Sequence, residues 1–458
     1  MKMIPATPEA YDLLREGSIA FAEIEANGIR IDTKYLNKAI KDVENEILTL
    51  EQELRNDKVW KLWTKRFGQK AVLGNRRQLG AIVFDVLGFD RTKGNNDEEA
   101  FNHVDHSFVK TYFLLAKKQK MRGTYLENIR REVDANGFLH PVFNLNTVSS
   151  YRSSGELPNW QNIPVRDPVM GKPIRTCVIA RKNSVLVEND FGGIEVRGIA
   201  CYCKDPVLID YIKDPTKDMH RDMASECYCL PVDQVNKHTR YCAKNKFVFP
   251  EFYGSYYVDC AAELWQAILD MGLQTNDGVP IGDVLAKRGI KELGDLDPNK
   301  IPKKGTFERH IKEVEERFWN KFHVYAKWRR DVWSNYLECG YVKTLTGFVL
   351  RGIMRRNQVI NMANQGSSFH LLLKSLIILL RRMRKLRMRS KVIGQIHDSI
   401  LADVRVDELN EYLSLVKEVT TVVVPKLWKW IIVPLEIEAE VCPEGGSWYD
   451  KKQVEFPK

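Results

Sequence analysis

Apolar positions in the first third of the chain recur at helical intervals. Residues 18–32, SIAFAEIEANGIRID, read as an amphipathic helix stopped at Asn27 and Gly28, then a short extended piece. Leu36, Ile40, Val43, Ile47, Leu50 and Leu54 alternate steps of four and three, so residues 34–56 predict a long helix packed lengthwise on another. The helical pattern of residues 108–129 is its expected partner. Such an antiparallel pair would carry Lys117, Lys118, Lys120 and Arg122, a surface suited to a phosphate backbone.

The pattern changes at about residue 140. HPVFNLNTVSSYRSSGELPNWQNIPVRD is rich in Ser, Asn and Pro, so loop and turn are expected. CVIARKNSVLVEND reads as two short strands around the RKNS turn, with Asp190 at a strand end. Helical patterns dominate residues 193–340, broken at 276–305 by a Gly- and Pro-bearing stretch expected as a surface insertion. After a helix through LLLKSLIILL, KVIGQIHDSILADV alternates around an HDS turn and predicts a hairpin with Asp398 at its tip. PLEIEAEV predicts a last strand, followed by a polar tail.

At 458 residues the chain exceeds one core, so two or three subdomains sharing a cleft are expected. Lys374 and Ser375 interrupt the most apolar helix, which therefore reads as buried rather than membrane-spanning. The first residues lack the charged and apolar regions of a secretory signal, which predicts a reducing, cytoplasmic setting. Nine cysteines at uneven spacing then read as free thiols. Cys201 with Cys203 and Cys227 with Cys229 leave a zinc site as the alternative, although the pairs are spaced more tightly than zinc ligands usually are. A formal charge of +10 favours a polyanionic partner.

Asp190 in NDFGGIEVR and Asp398 in QIHDSI flank RYCAKNKFVFPEFYG. An Asp at a strand end is ordinarily a turn former. As a pair, the two could bridge divalent metals about 3.5 to 4 Å apart, as phosphoryl transfer requires. Two glycines would let the chain turn beside Asp190 and bring the Phe191 carbonyl to a metal, and His397 precedes the second acid. Arg240 and Lys244, four apart, fit one helical face turned to a triphosphate, or else an exposed basic helix. Phe247, Phe249, Phe252 and Tyr253 offer stacking surfaces or core, and Pro250 must disturb the helix. Acid, base plus aromatic, then acid is the equipment of a nucleotidyl transferase. The basic run 381–391 reads as a solvated helix end, and Trp60, Trp63, Trp319, Trp328 and Trp333 read as packing residues.

NGIRID, TVSSYRSSGELPNWQNIPVRD, DFGGIEVR, DMHRDMASE, RYCAKNKFVFPEFYG, GYVKTLTG, INMANQG, QIHDS and GGSWYD, in this order, resemble family A DNA polymerases almost end to end. The resemblance implies an α+β right-hand fold with an antiparallel palm sheet, helical fingers and a helical thumb. It divides the chain into a palm-associated segment (1–33), thumb (34–135), palm (136–204), fingers (205–340, with an insertion at about 258–305) and palm again (341–458). Asp190, Asp398 and the Phe191 carbonyl would hold two Mg2+ ions. Glu195 would exclude a ribose 2′-hydroxyl, while His220, Arg240 and Lys244 would grip the triphosphate. Phe249 would stack on the base, Tyr253 would sit where the template base enters, and Arg152, Asn361, Gln365 and His397 would contact DNA. Primer-template DNA and dNTPs are the implied partners, with a separate exonuclease or processivity factor and no membrane; the setting would be the host cytoplasm if the chain is phage-encoded.

Departures from the family pattern sharpen the expectation. The stretch from Lys244 to Tyr253 is one residue longer, so a bulge or kink near Pro250 would bring Phe249, or else a neighbour, to the stacking position. Ser399 replaces a usual glutamate, which makes that third carboxylate dispensable. Asn357 replaces an arginine for which Arg355 or Arg356 would compensate, and the lengthened fingers resemble phage enzymes. The chain begins where the polymerase module does, so proofreading is expected from another polypeptide, or is missing, or was removed. A single-subunit RNA polymerase is the nearby alternative, opposed by Glu195; a catalytically silent nucleic-acid-binding subunit is the other.

Overall fold

The computed structural model describes residues 6–91, 98–101, 103–164 and 167–457. Its centre is an antiparallel sheet of β1 (Ser184–Phe191), β2 (Lys391–Ile396), β3 (Ser399–Arg405), β4 (Ile437–Val441) and β5 (Lys452–Val454), in the order β5-β4-β1-β3-β2. Val185, Val187, Ile400, Ala402 and Val404 face one apolar cluster, while Leu186 and Leu401 between them face another. Period-two alternation therefore persists in strands that read as unbroken apolar runs, because both sheet faces are covered.

One cover is the helix Arg356–Lys385, whose buried Leu371–Leu380 stretch packs together with the helix Pro8–Asn27. The opposite face takes Ile29, Leu36, Ile40, Trp160 and Trp448. Helix Thr33–Asn56 runs along Ser107–Lys120, as the heptad seam predicts. The expected phosphate surface there is largely spent within the protein. Lys118 pairs with Glu46, Arg122 with Glu44, and Lys117 with Glu98 and Asp167.

A third cluster builds a helical unit from Met219–Cys227, Lys237–Ala243, Tyr257–Met271 and Phe307–Lys321. The surface insertion expected at 276–305 is in part core. Ile281 and Leu285 of its short helix Ile281–Lys287 are fully buried, and the helix Tyr257–Met271 packs directly on Phe307–Lys321. The apolar spacing of that short helix is masked in the sequence by the surrounding Gly, Pro and charge.

Three smaller expectations also shift. Only Ser184–Phe191 becomes a full strand; Val178 and Ile179 make isolated bridges to Ile31 and Ser447. The first helix begins at Pro8, ten residues earlier than its apolar pattern suggests, with Thr7 capping it. The polar tail contributes β5. Arg381, Arg382, Arg384 and Arg389 of the basic run pair with Glu16, Glu418, Glu23 and Asp407, so the run pins the helix end to its neighbours. The nine cysteines are free, seven of them buried, and among the described residues no helix is long and apolar enough to cross a membrane.

Candidate active site

Strand register places the two acids. Asp190 lies opposite Ser399, and the Phe191 N–H donates to the Asp398 carbonyl at 3.2 Å, so both carboxylates leave the same end of adjacent strands. Gly193, at φ +58, lets the chain turn directly from β1 into the helix Ile194–Cys203. His397 takes φ +48 at the hairpin tip. Gln395 secures that turn: its amide donates to the His397 carbonyl, while its oxygen accepts from Ser153 Oγ at 2.7 Å and Gln161 Nε2 at 2.6 Å.

Asp190 keeps solvent access, yet crowding by protein atoms, then Asp398, Glu188 and Glu438, push its pKa up to about 7. Asp398 is raised to about 6, by burial and then by Glu195. Mutually repelling carboxylates with hard oxygen donors fit divalent cations of the magnesium type. Among the described residues no group of three or more His, Cys, Asp or Glu side chains is arranged around a common point.

Glu195 connects the sheet end to the helical unit. Its carboxylate accepts from the Tyr253 hydroxyl and lies 3.7 Å from Arg152, whose other nitrogen is 3.9 Å from Asp398. Asn364 holds the Glu195 carbonyl at 3.0 Å, and Asn361 holds that of Tyr253 at 2.7 Å. The two helices meet at Gly198, where a Cβ would come within 2.4 Å of Asn364 Oδ1.

In the helical unit, the helix from Lys237 changes winding. After Lys237–Ala243, residues Lys244–Val248 form a π-helical turn in which the Phe249 N–H bonds to the Lys244 carbonyl, and Phe249–Phe252 resumes the α-helix. The extra residue is absorbed there, immediately before Pro250, whose missing N–H and ring bulk disfavour an α-turn. Arg240, Lys244, Phe249 and Tyr253 consequently share one face at steps of four, five and four. Phe247, Val248 and Phe252 point into the core.

The rings of Phe249 and Tyr253 are 6.0 Å apart, His220 meets Phe249 edge-on at 5.7 Å, and the Lys244 ammonium sits 5.3 Å from the Phe249 centroid. Burial, then Lys244 and Arg240, lower His220 to about 4, so its ring is neutral at pH 7.

The structure thus brings Asp190, Asp398, Glu195, Arg152, Tyr253 and Asn361 into one linked group, and His220, Arg240, Lys244 and Phe249 into a second. Gln365 and His397 line a cavity of about 250 Å3 with Arg152. Asn357 packs against Gly254, and Arg329, from the helix His323–Cys339, also lies beside that glycine.

Two contributors were not among the expected site residues. Asp218 caps the helix Met219–Cys227 and receives Arg240 Nε at 2.6 Å. Gln395 organises the hairpin tip. Both stand inside quoted motifs, DMHRDMASE and QIHDS, where an Asp preceding a helix and a buried Gln beside an acid were the available signals.

An antiparallel sheet presenting two acids, faced by a helical unit presenting cations and aromatics, defines the right-hand polymerase fold. Residues 33–267, more than half of the chain, match the family described as DNA polymerase family A, and the chain belongs to that family. It is 28% identical over 461 residues to the thermostable DNA polymerase I of Thermus filiformis, covering 95% of this chain and 47% of that protein. With the DNA polymerase of Bacillus phage SP01 it shares 24% over 406 residues, 83% of this chain and 40% of the relative. Among solved structures, the polymerase domain of Pol1 from M. smegmatis, complexed with DNA primer-template and dNTP, aligns with a TM-score of 0.73 at 22% identity, over 95% of this chain and 70% of that one. The chain spans about half the length of the curated relatives it matches.

Proposed function

We propose that this chain is a template-directed DNA polymerase that joins deoxynucleotides to a primer 3′-hydroxyl and releases pyrophosphate. The observation that carries this reading is the run of contacts from Asp398 through Arg152 and Glu195, ion pairs at 3.9 and 3.7 Å, to the Tyr253 hydroxyl bonded to Glu195, which ties the second acid to the cationic, aromatic face of the fingers. Residues 34–135 would be thumb, 205–340 fingers, and the rest palm, in the cytoplasm of the cell or host. Asp190, Asp398 and the Phe191 carbonyl would hold two Mg2+ ions, which when bound lower the pKa of the 3′-hydroxyl and neutralise the leaving group.

The protein's own share is alignment and charge. Arg240 and Lys244 bind the triphosphate, and neutral His220 supplies a hydrogen-bonding nitrogen beside them. Phe249 stacks on the incoming base. Glu195, held by Tyr253, fills the space a 2′-hydroxyl would need. Arg152 and Gln365 test base-pair shape from the minor groove, whose acceptors are nearly the same for every correct pair.

Primer extension with deoxy- and ribonucleotides tests the reading. Deoxynucleotides should be strongly preferred, and Asp398→Asn should lower the rate about 10^3-fold. Equal extension by that variant would sink the assignment of the acids, efficient ribonucleotide use would sink that of Glu195, and DNA binding without extension would leave a silent binding subunit.

A further inference from the structure

We propose that Asn364 is a positioning residue for sugar selection: it fixes Glu195 through the main chain, and Gly198 is the notch that lets it do so. This rests on the polymerase reading above and adds to it the part that keeps Glu195 from yielding to a 2′-hydroxyl.

Glu195 stands in the first turn of the helix Ile194–Cys203, which starts from left-handed Gly193 without a capping side chain. Such a helix start is held only as firmly as its surroundings hold it. The Glu195 carboxylate meets the Tyr253 hydroxyl and Arg152, both of which approach from other elements. A carboxylate held only at its tip moves whenever its own backbone moves, so a rigid filter needs a second hold at its base.

Asn364 supplies that hold. From the helix Arg356–Lys385, its amide donates to the Glu195 carbonyl at 3.0 Å. The same helix treats the neighbours of Glu195 alike. Asn361 donates to the Tyr253 carbonyl at 2.7 Å, and His370 Nε2 lies 3.1 Å from the carbonyl of Tyr151, the residue before Arg152. Three side chains of one helix thus grip the main chain at or beside Glu195, Tyr253 and Arg152, and leave the working ends of those residues to meet one another.

The other arm of the amide points the same way. Asn364 is 1% exposed, and its Oδ1 is buried with no hydrogen-bond partner among the described residues. A buried amide with one arm unpaired is less stable than an apolar side chain of the same shape. Fold stability therefore does not account for an amide here, whereas the donor to Glu195 does. Gly198 belongs to the same fit. A Cβ there would meet Asn364 Oδ1 at 2.4 Å and Ser368 Oγ at 2.8 Å, and would push the amide off the Glu195 carbonyl.

Single-nucleotide primer extension by the full chain, with each deoxynucleotide and its ribonucleotide, gives the ratio of the two kcat/KM values. Asn364→Leu should lower that ratio about fivefold, the factor one net hydrogen bond supplies, while unfolding at the wild-type temperature or above. Gly198→Ala should lower the ratio by a similar factor and lower the unfolding temperature as well. Adding Asn364→Ala to Gly198→Ala makes room for the new methyl group, so the unfolding temperature should recover and the ratio should not. In a Glu195→Ala background, with no carboxylate left to place, Asn364→Leu should change the ratio by less than about twofold. Leu376→Ala, on the same helix but within the apolar cluster, should lower the unfolding temperature and leave the ratio unchanged.

An unchanged ratio in folded Asn364→Leu would overturn the proposal. So would a ratio that recovers together with the unfolding temperature in the double variant, which is what a packing role predicts, or a full effect of Asn364→Leu without the Glu195 carboxylate. If Asn364→Leu does not fold, the double variant decides alone. A wild type that extends no primer, or prefers neither sugar, would refute the polymerase reading or its filter, and the positioning role with it. A strong wild-type preference for deoxynucleotides that Asn364→Leu leaves intact would refute the positioning role only.

Discussion

Palm and fingers hold their site residues by different means. The palm acids are fixed by main-chain pairing, with Asp190 opposite Ser399 and the Phe191 N–H on the Asp398 carbonyl, in strands buried on both faces. The fingers residues hold one another. Arg240 leans on Asp218, Phe249 on His220 and Tyr253, and all project from a helix whose winding changes beneath them. Changing a palm side chain should leave the scaffold in place and remove only chemistry. A change in the fingers should spread to neighbours and appear in nucleotide binding.

The largest effect expected is at β1. Asp190→Asn should lower primer extension about 10^3-fold. Because Asp398, Glu188 and Glu438 repel the native carboxylate, unfolding measured without divalent metal should occur at a slightly higher temperature in the variant. A lower unfolding temperature would show that the acid supports the fold and so break the contrast. Chelating divalent metal should stop extension with no loss of helical circular dichroism.

Next come two rings two residues apart. Phe249→Ala should raise the dNTP KM about tenfold, the worth of one stacked base, with little change in unfolding temperature. Phe247→Ala empties a fully buried core position and should cost about 3 to 5 kcal/mol of stability. If the two effects were exchanged, the π-helical turn between Lys244 and Phe249 would be in the wrong place.

That turn also marks where the sequence stops being legible. The heptad of helix Thr33–Asn56, the buried Leu371–Leu380 stretch and the hairpin bearing Asp398 were all readable, because each repeats a period long enough to stand out. The extra residue before Tyr253 could be counted, but its absorption depends on the bond from Phe249 N–H to the Lys244 carbonyl, which no periodicity displays. Ile281 and Leu285 were hidden for another reason. Their helix is too short to show a period, and only contact with the fingers cluster makes it core. Asp218 could be seen as a cap, whereas its hold on Arg240, 22 residues on, is tertiary.

His220 gives the fingers a pH response. Its pKa is lowered from 6.5 to about 4 by burial and by Lys244 and Arg240, so the unfolded chain takes up a proton at a higher pH than the folded one. Its contribution to stability is therefore full above pH 6.5 and is lost as pH falls toward 4. Between pH 7 and 4.5 the unfolding temperature of His220→Gln should gain on that of the wild type by about 2 °C. A constant difference would show that the ring is free to protonate in the fold.

The smallest effect reverses the sign seen in the palm. Asp218 accepts from the His220 and Arg221 N–H groups and also pairs with Arg240. Asparagine caps helices as well as aspartate does, so Asp218→Asn should keep the helix start and remove only the negative charge that competes for Arg240. An ion pair of this half-exposed kind is worth about 1 kcal/mol at most, so the dNTP KM should fall by up to about fivefold, with a shallower salt dependence. Asp218→Ala also loses the cap and should unfold at a lower temperature, which separates the two roles. An increased KM in Asp218→Asn would mean that Asp218 positions Arg240 for the triphosphate instead of restraining it. The same change from acid to amide would then disable both halves of the site, and the contrast between a main-chain-fixed palm and a side-chain-held fingers helix would fail.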